Sequence, residues 1–235
     1  MKTKFFSLFI LMCVNIASYG CATIIGSGVL KSETRATEEF NGIELRGEAN
    51  VYVTQGDVQE IRIEADDNLL SHITTTVKNG SLVIGNDADL KAKQPVSIYV
   101  TAKSFCMLEL SGSGNVITMN KLKCDHMSLR LSGSGDLRAN IDGKSMKAVL
   151  SGSGNMELRG SASETDIRLS GSGNVNAKEL NTFSSLVNIT GSGNSTIDVK
   201  NDLTVNISGS GNVYYVQDPE QITSKIAGSG MIQKI

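Results

Sequence analysis

The 235-residue chain has no tryptophan, two histidines and only 5% aromatic residues. Each scarcity bears on a function class. A serine hydrolase needs a histidine within reach of its nucleophile, and only His72 and His126 exist to serve. A sugar-binding surface usually offers aromatic platforms, and the candidates here are few: Tyr52, Tyr99, Tyr214 and Tyr215. The formal charge is −2 and no basic block occurs, which argues against nucleic acid as a partner. No apolar run after residue 20 is long enough to span a bilayer. No glycine-rich stretch continues into Gly-Lys-Ser/Thr, so a phosphate-cradling loop is absent.

What the chain has is repetition. Leu110 to Asn115 reads LSGSGN, and near-copies follow at Leu131–Asp136, Leu150–Asn155, Leu169–Asn174, Ile189–Asn194, Ile207–Asn212 and Ile226–Met231. The paired glycines are Gly112 and Gly114, Gly133 and Gly135, Gly152 and Gly154, Gly171 and Gly173, Gly191 and Gly193, Gly209 and Gly211, and Gly228 and Gly230. Successive copies lie 21, 19, 19, 20, 18 and 19 residues apart. A fixed period over seven copies means stacked units, none able to bury its apolar face alone.

Between the copies apolar residues alternate, as in Ile167 and Leu169, Val187 and Ile189, and Val205 and Ile207. Period two is the strand signal. The spacing predicts an all-β parallel β-helix, one rung per repeat, with each GSG a structural turn. Glycine reaches φ > 0 without steric cost and lets neighbouring backbones approach. A continuous strand through the motif is the alternative, because Gly112 and Gly114 keep the parity of Leu110 and Val116. Stacking places serine above serine, and builds an amide ladder from Asn115, Asn155, Asn174, Asn194 and Asn212. Asp136 interrupts that ladder, but a carboxylate there can accept from amides on either side.

Residues 1–20 carry Lys2 and Lys4 and then an apolar core, which reads as a secretory signal peptide. Ser18-Tyr19-Gly20-Cys21 resembles a lipoprotein cleavage site with a loose first position. On this reading Cys21 is the lipid attachment point and the partner is a membrane; ordinary cleavage nearby would leave a plain thiol. Removing residues 1–20 moves the formal charge from −2 to −4. Residues 21–37 read as a tether, reaching about 55 Å if extended, and 38–235 as the β-helix head.

From Phe40 the chain turns strand-like, with turn signals at Gly56-Asp57 and Asp66-Asp67-Asn68 and a strong hairpin signal at Asn79-Gly80. Leu69–His72 can form one helical turn, and residues 87–94 read as a loop. The spacings are looser than 19, so the N-terminal rungs are expected to be irregular. Pro219 and Met231–Ile235 are the candidates to cap the far end.

These residues also carry a resemblance. Phe40-Asn41-Gly42-Ile43, the stretch from Gly47-Glu48-Ala49-Asn50 to Val53, Asp66-Asp67-Asn68-Leu69-Leu70, the GSGN series and Val213-Tyr214-Tyr215 resemble the auto-transporter adhesin, head GIN domain family, over nearly all of residues 38–235. Gly47-Glu48-Ala49-Asn50 stands where Gly-Ile-Asn is typical. The resemblance implies a right-handed, pectin-lyase-like β-helix in exported, often lipoprotein-like chains of Bacteroidetes-type bacteria, with adhesion as the inferred role. Fold likeness to lyases transfers no activity.

Seven equivalent serines single out no nucleophile. Asp66, Asp67, Asp87 and Asp89 are better explained as solvated turns than as a cation site. Arg130, Arg138, Arg159 and Arg168, the candidates for a lyase base, share no common offset from the local GSG. Cys106 and Cys124 lie at different offsets in adjacent repeats and are expected as buried thiols. No catalytic, cofactor or metal residue is assigned. The expectation is a non-enzymatic cell-envelope lipoprotein, exported to the outer membrane or cell surface (alternatively the periplasm), binding a surface glycan or protein. The alternatives are a polysaccharide-active enzyme or an envelope assembly protein that forms homo-oligomers.

Overall fold

Gly112 stands in parallel register with Gly133, and the same pairing carries on through Gly152, Gly171, Gly191, Gly209 and Gly228. The repeat is therefore a column in space. The computed structural model describes residues 23–235; the expected signal peptide, 1–20, and Cys21 lie outside them. In chain order the elements are β1 (Thr23–Ile25), β2 (Leu30–Arg35), β3 (Gly42–Gly47), β4 (Asn50–Gln55), β5 (Glu60–Asp66), the helical turn η1 (Leu70–His72), β6 (Ile73–Lys78) and β7 (Ser81–Asn86). Then come β8 (Asp89–Lys91), β9 (Ser97–Ala102), β10 (Met107–Gly112), β11 (Asn115–Thr118), β12 (Leu122–Lys123), β13 (His126–Gly133) and β14 (Asp136–Gly152). The last are β15 (Asn155–Gly171), β16 (Asn174–Gly191), β17 (Asn194–Gly209), β18 (Val213–Tyr215), β19 (Gln221–Gly228) and β20 (Ile232–Lys234).

From β14 to β17 each coil is one long strand bent across two faces. In β14, Leu137, Ala139 and Ile141 are buried along one face, and Met146, Ala148 and Leu150 along the other. In β14 parity slips once, between Ile141 and Met146, and it passes unbroken through GSG. Two parallel sheets result. The first holds the strands that run into the glycine corner (β3, β10, β13, the second halves of β14–β17, and β19). The second holds those that leave it (β4, β11, the first halves of β14–β17, β18 and β20). The core between them is mostly aliphatic, with Phe40 and Phe105 packed against each other at 6.2 Å.

The two glycines of each corner do different jobs. Gly152 has φ +124°, a conformation that strains any side chain, and its carbonyl accepts the N–H groups of both Ser172 and Gly173 at 3.0 Å. Gly154 is not in that region; a Cβ on it would sit 2.2 Å from the carbonyl oxygen of Gly135 in the coil below. So the motif is a corner, as read from the sequence. The structure adds an eighth copy, Gly47-Glu48-Ala49-Asn50. Gly47 has φ +126° and pairs with Gly112, and Asn50 pairs with Asn115. Ala49 occupies the second glycine's place because no glycine corner lies beneath it.

The amide ladder forms with one sense. Asn115 donates to Asn50 at 2.7 Å, Asn155 to Asp136 at 3.1 Å, Asn194 to Asn174 at 3.1 Å and Asn212 to Asn194 at 2.9 Å. Every amide donates towards the N-terminal coil. Within the ladder Asp136 therefore accepts from Asn155 and not from Asn115, whose NH2 is turned towards Asn50.

The irregular N-terminal rungs prove to be a cap. β7 and β9 lie in parallel beneath β3 and β4, and β5, β6 and β2 then run antiparallel. Asn79 (φ 51°) and Gly80 (φ 77°) form the expected β6–β7 hairpin turn. The tether expected over residues 21–37 is corrected: β2 pairs with β5 along its length, and β1 pairs with β8 inside what reads as a loop. Buried Asp66 clasps this strap. Its carboxylate accepts the N–H groups of Gly28 at 2.7 Å, Lys93 at 2.8 Å and Gln94 at 3.2 Å. Burial alone would push its pKa up. The three N–H donors and the charge of Lys93 outweigh burial and hold it below the usual carboxylate value. A depressed folded-state pKa contributes stability above the unfolded value near 3.9 and loses it as pH falls through the folded value. Asp66→Ala is therefore expected to expose residues 23–35 to limited proteolysis at neutral pH, a state the native chain reaches only in more acidic solution. Equal cleavage of both chains at neutral pH would contradict this.

The far end is not capped as anticipated. All eight residues of β19 are exposed, and Pro219 and residues 231–235 cover nothing of it.

Candidate functional site

The outward side chains of the first sheet form straight columns. His126, Ser145, Glu164 and Ser184 make one, and Ser128, Lys147, Asp166, Leu186 and Thr204 the next. Between them runs a groove of about 610 Å³. Ser128, Ser145, Ser184 and Thr204 line it with hydroxyls, and Met127 and Met146, whose side chains belong to the core, lie beneath. Its charges are mixed: Lys147 stands among Glu164, Asp166 and Asp202. Asp166 also holds Arg168 through hydrogen bonds at 3.0 and 3.1 Å, and that contact raises the arginine's pKa. Hydroxyls together with a lysine and three carboxylates along an open groove suit a partner with several hydrogen-bonding and charged groups.

The groove also holds a pair that the sequence reading passed over. His126 Nδ1 lies 2.8 Å from Ser145 Oγ. The two are 19 residues apart, one coil, so the period itself was the signal. Among the described residues no carboxylate is hydrogen-bonded to the ring, and the Ser145 N–H is already donated to the Asp125 carbonyl at 2.8 Å. Asp125 itself is engaged by Lys144 at 2.6 Å, a contact that lowers its pKa.

The lyase candidates divide between the sheets. Arg130 and Arg168 share a first-sheet column with Val149 between them. On the second sheet Arg138 lies 3.5 Å from Glu157, and Arg159 bridges Glu157 at 2.5 Å and Glu179 at 3.5 Å. Those carboxylates raise the pKa of Arg159, which keeps it a cation rather than a base.

The four aspartates do not converge. Asp66 clasps the strap, Asp67 accepts from Ser27, Asp87 meets His72 and Asp89 meets Thr23. Among the described residues no three metal-ligating side chains gather. Tyr52 and Tyr99 do come together, stacked at 5.0 Å, with Arg62 over the Tyr99 ring at 4.0 Å. Each ring turns one face to the other and Arg62 takes a face of Tyr99, while Tyr214 and Tyr215 lie apart on β18, half-buried.

Cys106 and Cys124 are a disulfide, with Cα atoms 5.6 Å apart, which overturns the expectation of buried thiols. Their unequal offsets misled because the chain bends back at Cys124 between β12 and β13, bringing it over the residue that precedes β10. Such a bond belongs to an oxidising compartment. No helix among the described residues is long and apolar enough to cross a membrane.

Comparison with known proteins agrees with this architecture. A putative lipid binding protein from Parabacteroides distasonis has 24% identity, with a TM-score of 0.78 over 91% of this chain and 100% of that one. A putative adhesin from Bacteroides fragilis has 22% identity and a TM-score of 0.82 over 90% and 100%. A putative adhesin from Parabacteroides merdae has 20% identity and a TM-score of 0.74 over 91% and 99%. At these identities they speak for the fold alone. No curated protein matches the sequence. The family model described as "Putative auto-transporter adhesin, head GIN domain" matches residues 39–219, and the chain belongs to that family.

Proposed function

We propose that this is a non-enzymatic, lipid-anchored adhesin head of the cell envelope, which presents the first-sheet groove to a surface partner. The observation that carries it is the groove itself: one polar-rimmed cleft on a rigid stack of coils, with no complete catalytic set beside it. Family membership and the disulfide support export. A lipid on Cys21 would hold the head close to the membrane, because the strap that follows is docked rather than free. Of the two ligand classes, protein is favoured over glycan, since the groove is lined by no tyrosine or phenylalanine ring.

The test is attachment of cells lacking the gene, complemented with wild-type or groove variants, to panels of matrix proteins and glycans. Lys147→Glu combined with Thr204→Arg is expected to lower attachment tenfold or more, a loss of at least about 1.4 kcal/mol. Unchanged attachment across both panels would sink the reading. So would polysaccharide or ester cleavage that disappears in Ser145→Ala and His126→Ala. Mass analysis of the mature N-terminus decides the lipid separately.

A further inference from the structure

The first sheet ends on a strand that nothing covers among the described residues. β19 pairs on one side with β17, through Ile222 with Leu203, Ser224 with Val205, and Ile226 with Ile207. Those three partners are buried, so Ile222, Ser224 and Ile226 continue the core column to its open end. Ile222 and Ile226 are 42% and 41% exposed, Met231 49% and Ile235 62%. At eight residues, β19 is longer than the usual strand of about five or six. Lys225 is its one charged residue, where natural edges are commonly blunted by several devices.

We propose that this end is a dimerisation surface and that its partner is a second copy of the chain, with the two β19 strands paired antiparallel about a two-fold axis at Ser224. The sequence Ile222-Thr223-Ser224-Lys225-Ile226 is self-complementary about its centre. Antiparallel pairing at Ser224 sets Ile222 opposite the partner's Ile226 on the core side, and Thr223 opposite the partner's Lys225 on the outer side. Apolar meets apolar in both halves, and the two lysines do not face each other. A two-fold interface demands that symmetry of one patch, whereas a foreign strand would not. The N-terminal end presents two different edges, β6 (ITTTVK) on the first sheet, where Arg35 takes the Ile73 carbonyl, and the charged β2 (LKSETR) on the second. Pairing of β19 with a second β19 uses one patch twice and closes at two copies, whereas pairing of β19 with β6 would grow into a filament.

The full chain carrying Ser224→Cys, expressed in its membrane and run without reductant, is expected to give a cross-linked band at twice the chain mass. Ser208→Cys, an exposed serine on the lateral corner column, is expected to give no more than wild type, which also accounts for any contribution of Cys21. Light scattering of the purified full-length wild type is expected to return a dimer, and Ile226→Lys a monomer that keeps a cooperative melting transition. No cross-link through Ser224→Cys, or a wild-type monomer at the highest soluble concentration, would overturn the proposal. A series of higher masses would overturn the two-fold closure.

Discussion

Gly154→Ala is expected to destabilise the fold by about 3 kcal/mol, the upper end for overpacking, because the new methyl meets backbone rather than a movable side chain. Its Cβ would lie 2.2 Å from the Gly135 carbonyl oxygen and 3.0 Å from Leu131 Cδ2. Relief requires the two coils to part, which stretches the 3.0 Å bond from the Gly154 N–H to the Gly133 carbonyl. For a chain of this size the melting temperature should fall by roughly 6–12 °C. Gly152→Ala should do worse, since φ +124° adds strain of about 1–3 kcal/mol to a methyl 2.4 Å from the Gly133 oxygen. Two controls isolate the cause. Ser153→Ala, on an exposed residue, should change little, and so should Ala49→Gly, where the native chain already carries a Cβ. Urea unfolding curves decide it: a loss for Gly154→Ala within about 0.5 kcal/mol of the Ser153→Ala value would show that the coils are not in backbone contact.

The same packing explains what the sequence disclosed. A corner that must be built identically in every coil leaves its glycines at a fixed period, so the solenoid from Gly112 to Gly228 was legible without coordinates. The copy at Gly47 was not, for two physical reasons. The strands of the cap, β5 to β9, intervene between it and the next coil, destroying the spacing. And the cap strands beneath that coil, β7 and β9, bring no glycine corner under it, so Ala49 is tolerated and the GSG signature is lost. The strap was missed because β2 is exposed along most of its length, which erases alternation, and because its clasp at Asp66 lies far along the chain. The groove was half legible. Residues one period apart are neighbours, so His126 and Ser145, or Met127 and Met146, could have been paired by counting coils. Which outward columns leave a cleft between them depends on backbone curvature that period alone does not encode.

Removing the disulfide with Cys106→Ala and Cys124→Ala is expected to cost about 3 kcal/mol, the loop-closure value for a bridge spanning some 15 residues; the separation here is 18. The loss should be local. Later coils are held by strands of 16 to 18 residues, β14 to β17, paired along most of their length. The bridged coil has only the four residues of β11 and the two of β12 between β10 and β13. In a stack where each unit touches only its neighbours, stability is close to a sum of local contributions. The coil with the fewest ladder bonds then depends most on its covalent tie. Hydrogen exchange of the double variant should therefore rise across β10–β13 and change little across β15–β17. A uniform rise along the whole stack would mean that the solenoid unfolds as one unit, and that the bond stabilises all coils alike. Unchanged exchange in β10–β13 would mean that backbone pairing with β3 and β14 already suffices there.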